Sequence, residues 1–153
     1  MPSRRHHEPA PSHLDPTRSA VIEALQQPPM ASQFSTTAMA LVMAIRLMAC
    51  CSAARMDPLV QLSRQLHSLT AAKAVLDFAQ ACARAWPENA MVSRPCCHAL
   101  TPDEAVFAQM AEAAAAGDRA DFSAILDGLV RRERHERLHD LTRETVAVLS
   151  NHF

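Results

Sequence analysis

The sequence predicts an all-α protein, a compact bundle of five to seven helices behind a disordered N-terminal tail. Three observations carry that expectation. Apolar residues recur at three- and four-residue steps, and no segment sustains the period-2 alternation of a half-buried strand. Helix starts are marked by a capping residue followed by proline at Asp15-Pro16, Asp57-Pro58 and Thr101-Pro102, where the missing proline N–H does no harm. The chain has 153 residues, 49% hydrophobic and 20% charged, which suits one packed core rather than two.

Residues 1–14 are rich in Pro, His and Arg without periodic apolar positions, and are expected to form the tail. Residues 15–153 are expected to form a single helical domain. Its first helix opens at Asp15-Pro16, turns Val21, Ile22 and Leu25 to one side, and stops at Gln27-Pro28-Pro29. A second runs from about Ser32 to Arg55, with Phe34, Ala38, Leu41, Val42, Ile45 and Met48 as its buried stripe. Asp57-Pro58 starts a third, in which Leu59, Leu62, Leu66 and Leu69 follow in 3-4-3 spacing, a pattern that suits internal packing or a dimer seam.

A fourth stripe of Val75, Ala79, Cys82 and Trp86 ends at Pro87, and residues 87–100 are irregular. Thr101 as N-cap, Pro102 at the first helical position and Glu104 closing a capping box open the next helix, which stops at Gly117. Asp118 caps a last helical region, with Phe122, Ile125, Leu126 and Leu129 inward and Leu138, Leu141 and Leu149 continuing it beyond a charged middle.

Composition narrows the function classes. A net charge of −1 argues against a polyanion binder, which is usually strongly basic. The run from Arg131 to Arg137 is interrupted by Glu133 and Glu136 and lacks interleaved aromatics, so it reads as a solvated helix face rather than a nucleic-acid site. The apolar run Ala38 to Cys51 is short for a bilayer and has Arg46 near its centre, so no membrane partner is expected. The five cysteines are odd in number and clustered as Cys50-Cys51 and Cys96-Cys97. That is poor geometry for a disulfide scaffold and points to a reducing cytoplasm.

The loop Arg94-Pro95-Cys96-Cys97-His98 is the strongest chemical candidate. Thiolate and imidazole suit zinc, copper or iron. The expected metal ligands are Cys96, Cys97 and His98, with Cys50 as a further ligand and Cys51 or Cys82 as alternatives. A redox-sensing pair of thiols fits the same loop, as does plain packing of small apolar side chains. His135-Glu136-Arg137-Leu138-His139 matches the zinc-protease pattern in form. Its arginine-rich surroundings and the lack of a third ligand assign it instead to an exposed helix. No Gly-rich phosphate loop and no serine nucleophile motif is present, so an enzyme is not expected.

Two stretches, Ala44-Ile45-Arg46-Leu47-Met48-Ala49 and Pro95-Cys96-Cys97 followed by Thr101-Pro102-Asp103-Glu104-Ala105, resemble an uncharacterised family of short bacterial all-helical proteins with a Pro-Cys-Cys loop. The resemblance covers about a fifth of the chain. In that family a third Cys usually follows, where this chain has His98. The family is a domain of unknown function, so the resemblance implies no substrate, cofactor or catalytic residue.

Two functional expectations follow. One is a small metal-binding or thiol-redox-sensing protein acting through the Cys-Cys-His loop. The other is a helical interaction module without a metal or catalytic site, a homodimer or the binder of another protein, with the leucine stripe as its surface.

Overall fold

Short polar side chains set most of the helix starts in the computed structural model, which describes residues 27–153. Ser35 Oγ accepts from the Ala38 N–H at 3.2 Å and opens α1 (Thr36–Ala53). Asp57 accepts from the Leu59 N–H at the start of α2 (Pro58–Leu66). Ser68 caps α3 (Leu69–Ala85), Thr101 caps α4 (Pro102–Ala116) and Asp118 caps α5 (Arg119–Leu126). Each cap satisfies an N–H that the helix cannot bond internally. The last helix, α6 (His135–Ser150), follows a 3-10 turn at Arg132–Arg134. The fold is all-α, with six α-helices among the described residues. The expected tail and the helix opening at Asp15-Pro16 lie outside those residues.

Helix α4 holds the centre and packs on α1, α5 and α6, while α3 joins α2 to α6. Its composition explains its place. Ala105, Ala108, Ala111, Ala113 and Ala114 are buried on several sides, and such short side chains let neighbouring helices approach closely. Phe107 and Met110 fill the remaining space, and Phe107 packs tilted against Trp86 and edge-on to Phe78 at centroid distances of 5.0 and 6.1 Å.

Three sequence expectations need correction. The 3-4-3 leucine stripe is not one surface. His67 adopts the left-handed conformation (φ 49°) and ends α2, Ser68 caps the next helix, and Leu69 begins it, 53% exposed. Leu62 and Leu66 are buried in the core, so no seam runs from Leu59 to Leu69. The last helical region is likewise divided, because Gly128 takes φ 78° and the chain leaves α5 at Asp127. Finally, α1 starts at Thr36 rather than Ser32: Phe34 is extended, and a 3-10 turn at Ala31–Gln33 precedes it.

Candidate functional site

The loop between α3 and α4 hangs from one buried ion pair. Arg46, from the middle of α1, and Glu104, from the first turn of α4, are 1% and 0% exposed. Arg46 Nε donates to Glu104 Oε1 at 2.7 Å and Nη2 to Oε2 at 2.9 Å, a two-pronged pairing. Nη2 also reaches the Ala99 carbonyl at 3.2 Å. Nη1 donates to the Cys97 carbonyl at 2.6 Å and to Met43 Sδ at 3.9 Å. All five guanidinium N–H groups thereby have acceptors.

The carboxylate is equally well served. Oε1 also accepts from the Ser93 N–H at 2.8 Å, and Oε2 from the Thr101 N–H at 2.9 Å. The second contact completes the capping box expected from Thr101 and Glu104. One side chain therefore caps α4, pairs with α1 and anchors the loop at its middle and at its α4 end. Burial alone would push the Glu104 carboxyl up, but Arg46 and the Thr101 and Ser93 N–H groups hold it below the usual carboxylate range. The Arg46 guanidinium is raised in turn, chiefly by its hydrogen bond to Glu104 and against the cost of burial. Asp103 adds a second anchor, accepting from Trp86 Nε1 at 3.2 Å and the Met91 N–H at 2.7 Å.

On this mount Cys96, Cys97 and His98 are all exposed. A turn closed by the Cys97 N–H and the Arg94 carbonyl at 3.0 Å presents them. The far side of the loop pairs with the segment leading into α1, through Ala31 N–H to His98 O at 2.9 Å and Leu100 N–H to Pro29 O at 2.8 Å. Cys50 is exposed on α1, one turn beyond Arg46. Cys51 and Cys82 are buried, and burial pushes the Cys82 thiol up to about 12, so Cys82 stays a packed thiol at neutral pH. Among the described residues no group of three or more His, Cys, Asp or Glu side chains is placed to hold a metal ion. The structure thus brings Cys96, Cys97 and His98 onto one loop, but does not gather three of the expected ligands, Cys50 included, around one point.

The histidine pair of α6 is the other surprise, because it does not lie on an exposed face. His135 and His139 are 5% and 3% exposed, whereas Glu136 and Arg137 face solvent. His135 is fully used: Nδ1 meets Ser123 Oγ at 2.7 Å and Nε2 meets the Val130 carbonyl at 2.9 Å. It pins α5 and the following turn to α6 and has no nitrogen left for a metal. His139 packs edge-on to Phe122 at 5.0 Å, with its Nε2 buried and unpartnered. Its Nδ1 lies 3.4 Å from Asp140, whose carboxyl is lowered first by that contact and then by Arg119 and Arg143.

The two histidines should therefore respond oppositely to mutation. His135→Leu strands the buried Val130 carbonyl and should cost about 1–3 kcal/mol. His139→Leu removes an unsatisfied buried nitrogen and should be neutral or stabilising, and urea titration of the two variants checks both.

A third feature is the outward face of α1. The helix has a mean hydropathy of 1.6 over 18 residues, long and apolar enough to cross a membrane by length and composition, yet only 33% of it is buried. Arg46 ties it to α4 at its centre. Met39, Met43 and Leu47 line an open groove of about 550 Å³, walled by Phe34, Pro95 and Phe153. No charged residue lines it. Met43 and Phe153 are 39% and 66% exposed.

Fold and site together define a small all-α protein with an anchored dithiol loop beside an apolar helix face. Comparison with protein-family models, curated proteins and solved structures finds no match, so none of them supports the family resemblance.

Proposed function

We propose that this chain is a helical interaction module whose outward α1 face docks a second copy of the same chain. One observation carries the reading: α1 is strongly apolar along its length, yet Met43 is exposed and Met39 and Leu47 are only half-buried along an open groove. A helix apolar all round normally belongs in a core, and contiguous exposed apolar surface marks interaction sites. No charged side chain lines the groove along α1, so an occupant with an uncharged face suits it. The same face on a second copy meets that requirement, and a two-fold axis pairs one patch with itself. Methionines suit such a surface because their flexible thioethers adapt to a partner.

Oxidative footprinting checks the reading at the residues concerned. Under mild peroxide, Met43 should be oxidised more slowly than Met91, which is 70% exposed, and its protection should fade on dilution. Protection that persists on dilution would mean that this chain's own residues cover the face. Rapid oxidation at every concentration would leave the face without an occupant.

A second reading is favoured by the joint exposure of Cys96 and Cys97: a thiol-based regulatory protein that binds zinc, copper or iron, or senses redox state. A four-ligand zinc centre would require Cys50 and His98 to move in with the loop thiols, against the anchoring of the loop backbone by Arg46 and Glu104.

A further inference from the structure

We infer that Cys96 and Cys97 form a two-thiolate site for a soft monovalent cation, with Cu(I) as the ion their chemistry selects. The inference deepens the thiol reading and is independent of the dimer. It rests on the exposure of both thiols and on how little the backbone beneath them can move. The Cys97 N–H is held by the Arg94 carbonyl at 3.0 Å, and the Cys97 carbonyl by Arg46 Nη1 at 2.6 Å. The Ala99 carbonyl and the Ser93 and Thr101 N–H groups are bound to the same ion pair. Both backbone polar groups of Cys97 are thus committed, while its side chain and that of Cys96 project into solvent.

That restriction separates the reactions open to adjacent thiols. A disulfide needs its Cα atoms about 4.4–6.8 Å apart, whereas neighbouring Cα atoms across a trans peptide are about 3.8 Å apart. Bridging Cys96 to Cys97 directly would mean distorting a peptide whose flanking groups are anchored. An atom inserted between the sulfurs relieves the constraint, because it lets them stand further apart than a sulfur–sulfur bond does.

The number of available donors then selects the ion. Structural zinc takes four ligands, and no group of three stands together among the described residues. Soft thiolates select Cu(I) among biological metals, and Cu(I) is satisfied by two. Binding proceeds as two thiols and one Cu(I) giving a bis-thiolate complex and two protons, with no change in oxidation state. The complex carries one negative charge. Arg94 stands at the first position of the turn and supplies a nearby positive charge, whereas the charge of Arg46 is already met by Glu104.

The test is anaerobic titration of reduced, full-length protein with Cu(I) against bathocuproine disulfonate. The expected result is one Cu(I) per chain, with Cys96→Ser or Cys97→Ser each weakening binding by about a hundredfold or more. Both side chains are exposed, so the fold should survive the change, and circular dichroism checks this. Cys50→Ser and His98→Ala should stay within about threefold of the wild type. X-ray absorption of the loaded protein should show two sulfur neighbours. Indifference to the Cys96 and Cys97 substitutions would overturn the site. So would half a copper per chain, a third ligand atom, or loss of binding on Cys50→Ser or His98→Ala. Phe153→Glu, in the same groove, 66% exposed and without a contact to Arg46, should leave the titration unchanged, which keeps failure of the copper site distinct from failure of the dimer.

Discussion

Replacing Arg46 with alanine should destabilise the protein by about 3–5 kcal/mol, the range for breaking a buried ion pair from one side. The loss has two sources. Glu104, fully buried, is left charged without its counter-ion, and the Cys97 and Ala99 carbonyls lose the donor that ties the loop to α1. Glu104→Gln should fall in the same range, because an amide nitrogen would face donors in place of one carboxylate oxygen. Replacing both residues with leucine should not recover the wild-type stability, although apolar substitutes often do so for buried pairs. Here four loop backbone groups, the Ser93 and Thr101 N–H and the two carbonyls, depend on the pair. Chemical denaturation of the four proteins measures this directly.

The same pair predicts how stability depends on pH. The Glu104 carboxyl is held below its ordinary value, so its contribution is present above the unfolded carboxylate range near pH 4 and is lost as pH falls through the lower folded value. Glu104→Gln lacks that group, so its unfolding free energy should fall less steeply than the wild type's over the acid limb.

The second large effect concerns the apolar face. Met43→Glu puts a carboxylate into a groove lined by no charged side chain. In the proposed dimer that charge has no partner, and two-fold symmetry brings a second like charge to the same interface. The expected cost is about 3 kcal/mol or more, a hundredfold or greater weakening of association. The folded monomer should be little affected, because Met43 is already 39% exposed and a charge there remains solvated. Met43 Sδ also accepts the weakest of the Arg46 contacts, at 3.9 Å. Met43→Leu therefore serves as the control that removes the sulfur while keeping the apolar surface.

Much of this architecture can be read from local sequence. Asp57-Pro58, Thr101-Pro102 with Glu104, and Gly117 mark helix ends through backbone chemistry that acts within a few residues. What escaped was the long-range use of those same residues. Glu104 is legible as a cap, but nothing near it announces a partner 58 positions earlier. In the sequence Arg46 reads as an obstacle to membrane insertion and as part of a short motif. Yet it continues the buried series of Ala38 and Val42 in steps of four, a register that marks an inward-facing charge needing a partner.

The histidines of α6 offered a similar signal. His135, Leu138, His139, Thr142, Thr145, Val146 and Leu149 recur at three- and four-residue steps, and all are buried. The arginines interleaved with them, Arg137 and Arg143, mark the opposite, exposed face. The leucine series from Leu59 to Leu69 failed for the reverse reason, because periodicity ran on through His67 and Ser68, where the backbone turns. For the loop, sequence supplied the donors, but their grouping depends on side-chain placement that spacing alone does not determine.

The dimer is tested most directly by the mass of the full-length chain in solution, measured by light scattering across a range of concentrations alongside Met43→Glu. A wild-type mass of twice the 16.7 kDa of one chain, falling to the single-chain value on dilution or on Met43→Glu, is the predicted result. A wild-type protein that stays at the single-chain mass at every concentration would contradict it.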